Sequence, residues 1–261
     1  MQVRVATINI LNDLSLWQGR RDLLRAGLAE LQADFICIQE ANLQENTAAW
    51  LAQELGMYSF ICPEPLSWGS DEGIAILSRV QAHSYHTFDL GSQGRVAQAA
   101  LVSLEDKGFI LANSHLFWHP GDSLERLQQV VRLKDWLNRL GGKIPKVVCG
   151  DFNGTPRSTA VRFMLQSFLS AYAEAHGCEP EYTYPTPLPR PWKAFIDLFL
   201  HTFFILRPWH LKPGWRSTLD YIFVTPGWRV RECRLVLNQP AAHDPRLYPS
   251  DHFGLFAILE R

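Results

Sequence analysis

Val147-Val148-Cys149-Gly150-Asp151-Phe152-Asn153 is the stretch on which the reading of this chain turns. A short apolar run closed by glycine reads as a buried strand. Such a strand needs no carboxylate or amide at its end for stability, yet Asp151 and Asn153 follow at once. The pattern recurs in Phe35-Ile36-Cys37-Ile38-Gln39-Glu40, Asn113-Ser114-His115, Leu219-Asp220-Tyr221 and Ser250-Asp251-His252. Sites in layered α/β folds are built at strand ends. Five polar endings of this kind therefore suggest convergence on one place.

Outward from that stretch, strands and helices alternate through the first two-thirds of the chain. Strands are expected over 3–10, 35–38, 73–77, 96–104, 109–114 and 147–150. Helices are expected over 20–31, from Asn46 to Gly56, over 123–140 and from about Ser158. Leu133, Trp136, Leu137 and Leu140 show the spacing of one helix face. The last third reads as strands over 219–224, 232–237 and 254–259. No internal repeat or low-complexity linker interrupts the sequence. Candidate site residues run from Asn9 to His252, so we expect residues 1–261 to form a single domain.

The 261 residues are 47% hydrophobic and 20% charged, and the net charge is −1. That balance argues against a strongly basic, non-specific nucleic-acid binder and leaves local patches open. The five cysteines form no close-set pairs of zinc-ligand spacing, and a reducing, cytoplasmic compartment fits them best. The first residues start directly as an alternating strand, without the apolar core of a signal peptide.

The polar endings combine oxygen donors for a hard divalent cation with acid/base groups, a mix that suits attack of water on a phosphoester. Glu40 follows an apolar run and is the best metal candidate, and Asn9 at the end of the first strand could offer its amide oxygen, directly or through water. Asp151 could orient a water, and Asn153 could donate to a phosphate oxygen. Read alone, Gly150 to Pro156 also fits a β-turn. His252 could protonate a leaving oxygen if a carboxylate fixes its tautomer, and Asp220 is placed to be that carboxylate. A lone histidine is otherwise a satisfied buried one. His115 could contact the same phosphate.

At these residues the sequence resembles the endonuclease/exonuclease/phosphatase superfamily. The likeness spans nearly the whole chain and keeps the motif order: Ile8-Asn9, Gln39-Glu40, Gly73-Ile74-Ala75-Ile76-Leu77-Ser78-Arg79, Ser114-His115-Leu116, Gly150-Asp151-Phe152-Asn153, Leu219-Asp220-Tyr221-Ile222 and Ser250-Asp251-His252. The resemblance implies a four-layer α/β sandwich, two mixed sheets face to face with helices outside. It implies Mg²⁺ or Mn²⁺ at Glu40, with Asn9 nearby and Asp251 helping with metal or water. It also implies Asp151 at the attacking water, Asn153 and His115 on the phosphate, and an Asp220–His252 pair. Asn113 to Pro120 and Ile8 to Asp13 look most like the deadenylase and 2′-phosphodiesterase branch, which favours a nucleotide or nucleic-acid phosphodiester.

One departure stands out. An apolar insertion over about 188–215 precedes Leu219. From Thr186 to Arg234 the chain carries eight Lys/Arg against three acidic residues. Aromatic, apolar and basic together suit a membrane interface, a nucleic-acid groove or a dimer surface. Two alternatives follow: a phospholipid or sphingolipid phosphodiesterase at a membrane surface, or a non-catalytic binding module on the same fold.

Overall fold

The structure is a computed structural model, and it describes residues 1–66, 69, 71–105, 107–119, 121–188 and 215–261. Among the described residues, twelve strands and five α-helices follow one another. The strands are β1 (Gln2–Asn9), β2 (Phe35–Asn42), β3 (Tyr58–Pro63), β4 (Glu72–Ser78), β5 (Ser84–Gly91), β6 (Arg95–Leu104), β7 (Lys107–His115), β8 (Lys146–Asp151), β9 (Leu169–Ser170), β10 (Asp220–Val224), β11 (Arg229–Val236) and β12 (Gly254–Glu260). The helices are α1 (Trp17–Glu30), α2 (Thr47–Leu55), α3 (Leu124–Gly141), α4 (Thr159–Met164) and α5 (Ala171–His176). They build two six-stranded mixed sheets, in the orders β11-β12-β1-β2-β4-β3 and β5-β6-β7-β8-β10-β9.

The central strands are apolar throughout because both of their faces are buried. Val3, Val5, Phe35, Cys37 and Leu255 of one sheet pack against Phe109, Leu111, Val147, Cys149 and Ile222 of the other. The alternate residues Ala6, Ile8, Ile36 and Ile38 turn outward onto Leu24 and Leu28 of α1 and Leu51 of α2. On the far side Ile110, Ala112 and Val148 meet Val130, Leu133 and Leu137 of α3 and Val161 of α4. Three apolar seams thus separate four layers, the expected α/β sandwich.

Polar groups also cross between the sheets. Gln39 Nε2 donates to Asn113 Oδ1 (2.7 Å) and Thr7 Oγ1 (3.1 Å). Asn113 Nδ2 returns hydrogen bonds to the carbonyls of Ile38 and Ala75. Ser123 and Ser158 cap α3 and α4 through their hydroxyls, as their positions in the sequence suggest. Gly56 closes α2 in the left-handed region, whereas Asn46 makes no side-chain cap. The insertion expected over 188–215 lies, from 189 to 214, outside the described residues. Among the described residues no helix is long and apolar enough to cross a membrane.

Candidate active site

The site lies where β1, β2, β7 and β8 end, where β10 begins, and in the turn before β12. Two local distortions aim its carboxylates. The pairing of β2 with β4 slips between Ile38 and Ala41, and Glu40 takes a left-handed φ of 56° within that irregularity. A bulge of this kind re-aims a side chain. Gly150 has φ 143°, and a Cβ there would run into the carbonyl oxygen of Ser114. Glycine lets β8 approach β7 at the residue before Asp151.

The expected residues converge. Asn9 Nδ2 donates to Glu40 Oε1 (2.9 Å) and to Asp151 Oδ2 (3.1 Å), so one amide joins the two carboxylates. Its Oδ1 accepts from the Leu11 amide, so Asn9 faces the carboxylates with its NH₂. The Asn12 amide donates to Glu40 Oε2. Asp151 Oδ1 accepts from the Asn153 amide (2.8 Å), and Asn153 Nδ2 donates to the Leu116 carbonyl. Across the pocket His252 Nδ1 lies 2.9 Å from Asp220 Oδ2. His252 Nε2 and His115 Nε2 stand 3.8 and 3.6 Å from Asp151 Oδ2. Ser250 Oγ donates to the Asn9 carbonyl (2.6 Å), which ties the Asp251–His252 turn to the end of β1.

Apart from the half-buried Glu40 and Asn153, these residues are buried. Burial and the neighbouring charge of Asp220 push the Asp151 carboxyl up to about 7. Burial works against a charged His252, but Asp220, Asp151 and Asp251 outweigh it and raise the imidazole to about 10. His115 goes the other way, held well below its usual range by burial and by Arg95.

The donor set fits a hard cation. Ligand atoms of Asp151, Asp220 and His252 all lie within 4.8 Å of one another. Asp220 Oδ1 is buried with no hydrogen-bond partner among the described residues. Glu40 and Asp151 share one amide. A donor set dominated by carboxylate oxygens, without a thiolate, suits Mg²⁺ or Mn²⁺ better than softer metals.

Four neighbours escaped the sequence reading. Arg95 Nη1 contacts Glu64 Oε2 (2.7 Å), Glu72 Oε1 (2.8 Å) and His115 Nδ1 (2.9 Å), and all four residues are buried. The signal was present: Glu72 precedes an apolar run and Arg95 precedes another, the same anomaly that marks Asp220. Arg20 of α1 also went unread. It donates to the carbonyls of Ile10, Leu11, Asp13 and Pro249, and so pins the loops after β1 and before Asp251 to each other.

Comparison with known proteins agrees with this geometry. The profile of the Endonuclease/Exonuclease/phosphatase family matches residues 6–252. The chain is similar to human nocturnin, at 27% identity over 92% of this chain and 57% of that protein. It is similar also to bovine 2′,5′-phosphodiesterase 12, at 26% identity over 92% of this chain and 46% of that one. It therefore spans about half the length of these relatives. The structure of the human nocturnin catalytic domain with bound sulfate superposes with a TM-score of 0.77 at 24% identity, covering 99% of this chain and 93% of that one.

Proposed function

Because the chain belongs to the endonuclease/exonuclease/phosphatase family, we propose that it is a Mg²⁺- or Mn²⁺-dependent phosphoesterase that hydrolyses a phosphodiester of a nucleotide or nucleic acid. Glu40 and Asp251, with Asn9 bridging to Asp151, would hold the cation, which when bound supplies charge stabilisation at the phosphoryl or leaving oxygen. Asp151, raised toward neutrality, accepts the proton of the attacking water at Oδ2. His252, held by Asp220 with Nε2 facing the pocket, gives a proton to the leaving oxygen. Asn153 and the His115 Nε2 edge contact the phosphoryl oxygens. We also read residues 1–261 as one catalytic domain and place it in a reducing, cytoplasmic setting.

One observation carries this reading: Glu40, Asp151, the Asp220–His252 pair and His115 meet in one buried acidic pocket. The phosphodiester is favoured because a relative is named for cleaving one. A polynucleotide is favoured by the half-exposed Trp118 ring, three residues beyond His115. The lipid alternative rests on residues 189–214 and draws no support from the described part of the molecule.

The test is hydrolysis of bis-p-nitrophenyl phosphate, single-stranded RNA, abasic DNA and sphingomyelin with Mg²⁺, Mn²⁺ or EDTA. Turnover on the first two, abolished by EDTA and by Glu40→Ala or His252→Ala, is the expected result. A folded protein inert on every substrate would favour the binding-module alternative, and turnover of sphingomyelin alone the lipid one.

A further inference from the structure

Beside the site lies a charge cluster that the reaction does not use directly. Arg95 opens β6, Glu72 opens β4, and Glu64 follows β3. Arg95 Nη1 lies within 2.9 Å of both carboxylates and of His115 Nδ1. A guanidinium can only donate. Nη1 shares its two hydrogens among three neighbours and has no lone pair to offer, so a hydrogen on His115 Nδ1 would face an N–H, and the ring turns its lone pair to that side instead. Glu72 Oε1 and Glu64 Oε2 stand 3.5 and 3.8 Å from the same nitrogen, beyond a good hydrogen bond. The one proton of the neutral ring then sits on Nε2, the edge that faces Asp151 Oδ2 at 3.6 Å inside the pocket.

We propose that Arg95 is a positioning residue, which locks His115 as the neutral Nε2–H tautomer so that the ring presents a donor to a phosphoryl oxygen. Glu64 and Glu72 hold the guanidinium in place. The proposal rests on the phosphoesterase reading for its catalytic consequence, while the tautomer itself is independent of it. The logic is one of sign. A carboxylate facing Nδ1 would draw the proton to that side and leave Nε2 as an acceptor, which repels phosphate oxygen. Interposing an arginine between carboxylate and imidazole reverses the polarity of the ring.

The experiment is long-range ¹H–¹⁵N correlation of histidine-labelled full-length protein, paired with kinetics. In the wild type, Nδ1 of His115 should resonate as an unprotonated nitrogen and Nε2 as a protonated one. Arg95→Met/Glu64→Gln removes the guanidinium together with one of its acidic partners and leaves Glu72 facing His115. In it the proton should move to Nδ1, with kcat reduced by about 10²-fold, the usual cost of one lost transition-state donor, and KM changed much less. Arg95→Lys retains a donor-only cation and should keep the Nε2–H form and most of kcat. If the double variant fails to fold, Arg95→Gln, whose amide oxygen can accept from Nδ1, replaces it. A wild-type ring protonated on Nδ1, or an Arg95→Met/Glu64→Gln or Arg95→Gln variant that keeps both tautomer and kcat, would overturn the proposal. An Nε2–H ring in a protein that cleaves no phosphodiester would instead overturn the phosphoesterase reading and leave the tautomer assignment standing.

Discussion

His252 and Asp220 are fully enclosed and 2.9 Å apart, so each depends on the other's charge. Asp220→Asn keeps the shape and removes the charge that favours the imidazolium. We expect kcat to fall by about 10²–10⁴-fold, with the basic limb of the pH–rate profile moving to lower pH as His252 becomes easier to deprotonate. An unshifted limb would remove His252 from the role of acid. The same groups set the stability of the metal-free protein. His252 holds its proton more tightly in the fold, at about 10, than in the unfolded chain. Its contribution is complete below about pH 6.5 and is lost as pH rises through about 10. Asp151, raised to about 7, works in the same direction, losing its contribution as pH rises through that value. In EDTA the urea midpoint should therefore be lower at pH 9 than at pH 6. A midpoint that climbs over that range would contradict the assigned shifts.

At the scale of elements, the loop after β7 is held like a fixed part. Arg126 of α3 donates to the carbonyls of Phe117, His119 and Gly121, and Gln129 accepts from the Phe117 amide. Trp118 stays exposed, its ring centroid 4.5 Å from that of His119. An exposed aromatic ring three residues beyond His115 can stack a base at about 1–3 kcal/mol. Trp118→Ala should raise KM for single-stranded RNA by roughly 5- to 100-fold and leave bis-p-nitrophenyl phosphate untouched. Equal loss on both substrates would mean that the ring supports the loop instead.

Elements also show where the sequence was legible. Central strands with both faces buried announced themselves as apolar runs, and their polar endings marked the site. The strands that went unread, β3, β5 and β9, are at or near sheet edges. The first two carry mixed or exposed faces, and β9 has two residues. Arg95 was hidden for another reason. Its role depends on partners 31 and 23 residues upstream and on His115, and no local pattern encodes that meeting.

Over the whole molecule, apolar packing between two sheets has no direction of its own, so the Gln39–Asn113 bridge supplies a register. Asn113→Leu would remove one partner each from the Gln39 amide and from the carbonyls of Ile38 and Ala75 in the core. It should cost about 3 kcal/mol or more, since each buried polar group deprived of a partner costs ~1–3 kcal/mol. Urea denaturation reads this directly. Gln39→Leu/Asn113→Leu should be less harmful than the two single changes summed, and strict additivity would show that the bridge is not a coupled unit.

The two sheets also differ in how the chain builds them. All strands of the second sheet come from one continuous block, Ser84 to Val224, while the first takes β1 to β4 from one side of that block and β11 and β12 from the other. On a ribosome the block emerges whole and can pair its strands early. The first sheet must wait for β12, whose partner β1 left the exit tunnel long before. Until then the inner face of the finished sheet can meet β1, β2 and β4 but not Leu255, Ala257 and Leu259 of β12. The nascent chain thus passes through a stage in which part of that apolar seam is uncovered, and Asp251 and His252 reach Asn9 only as that stage closes.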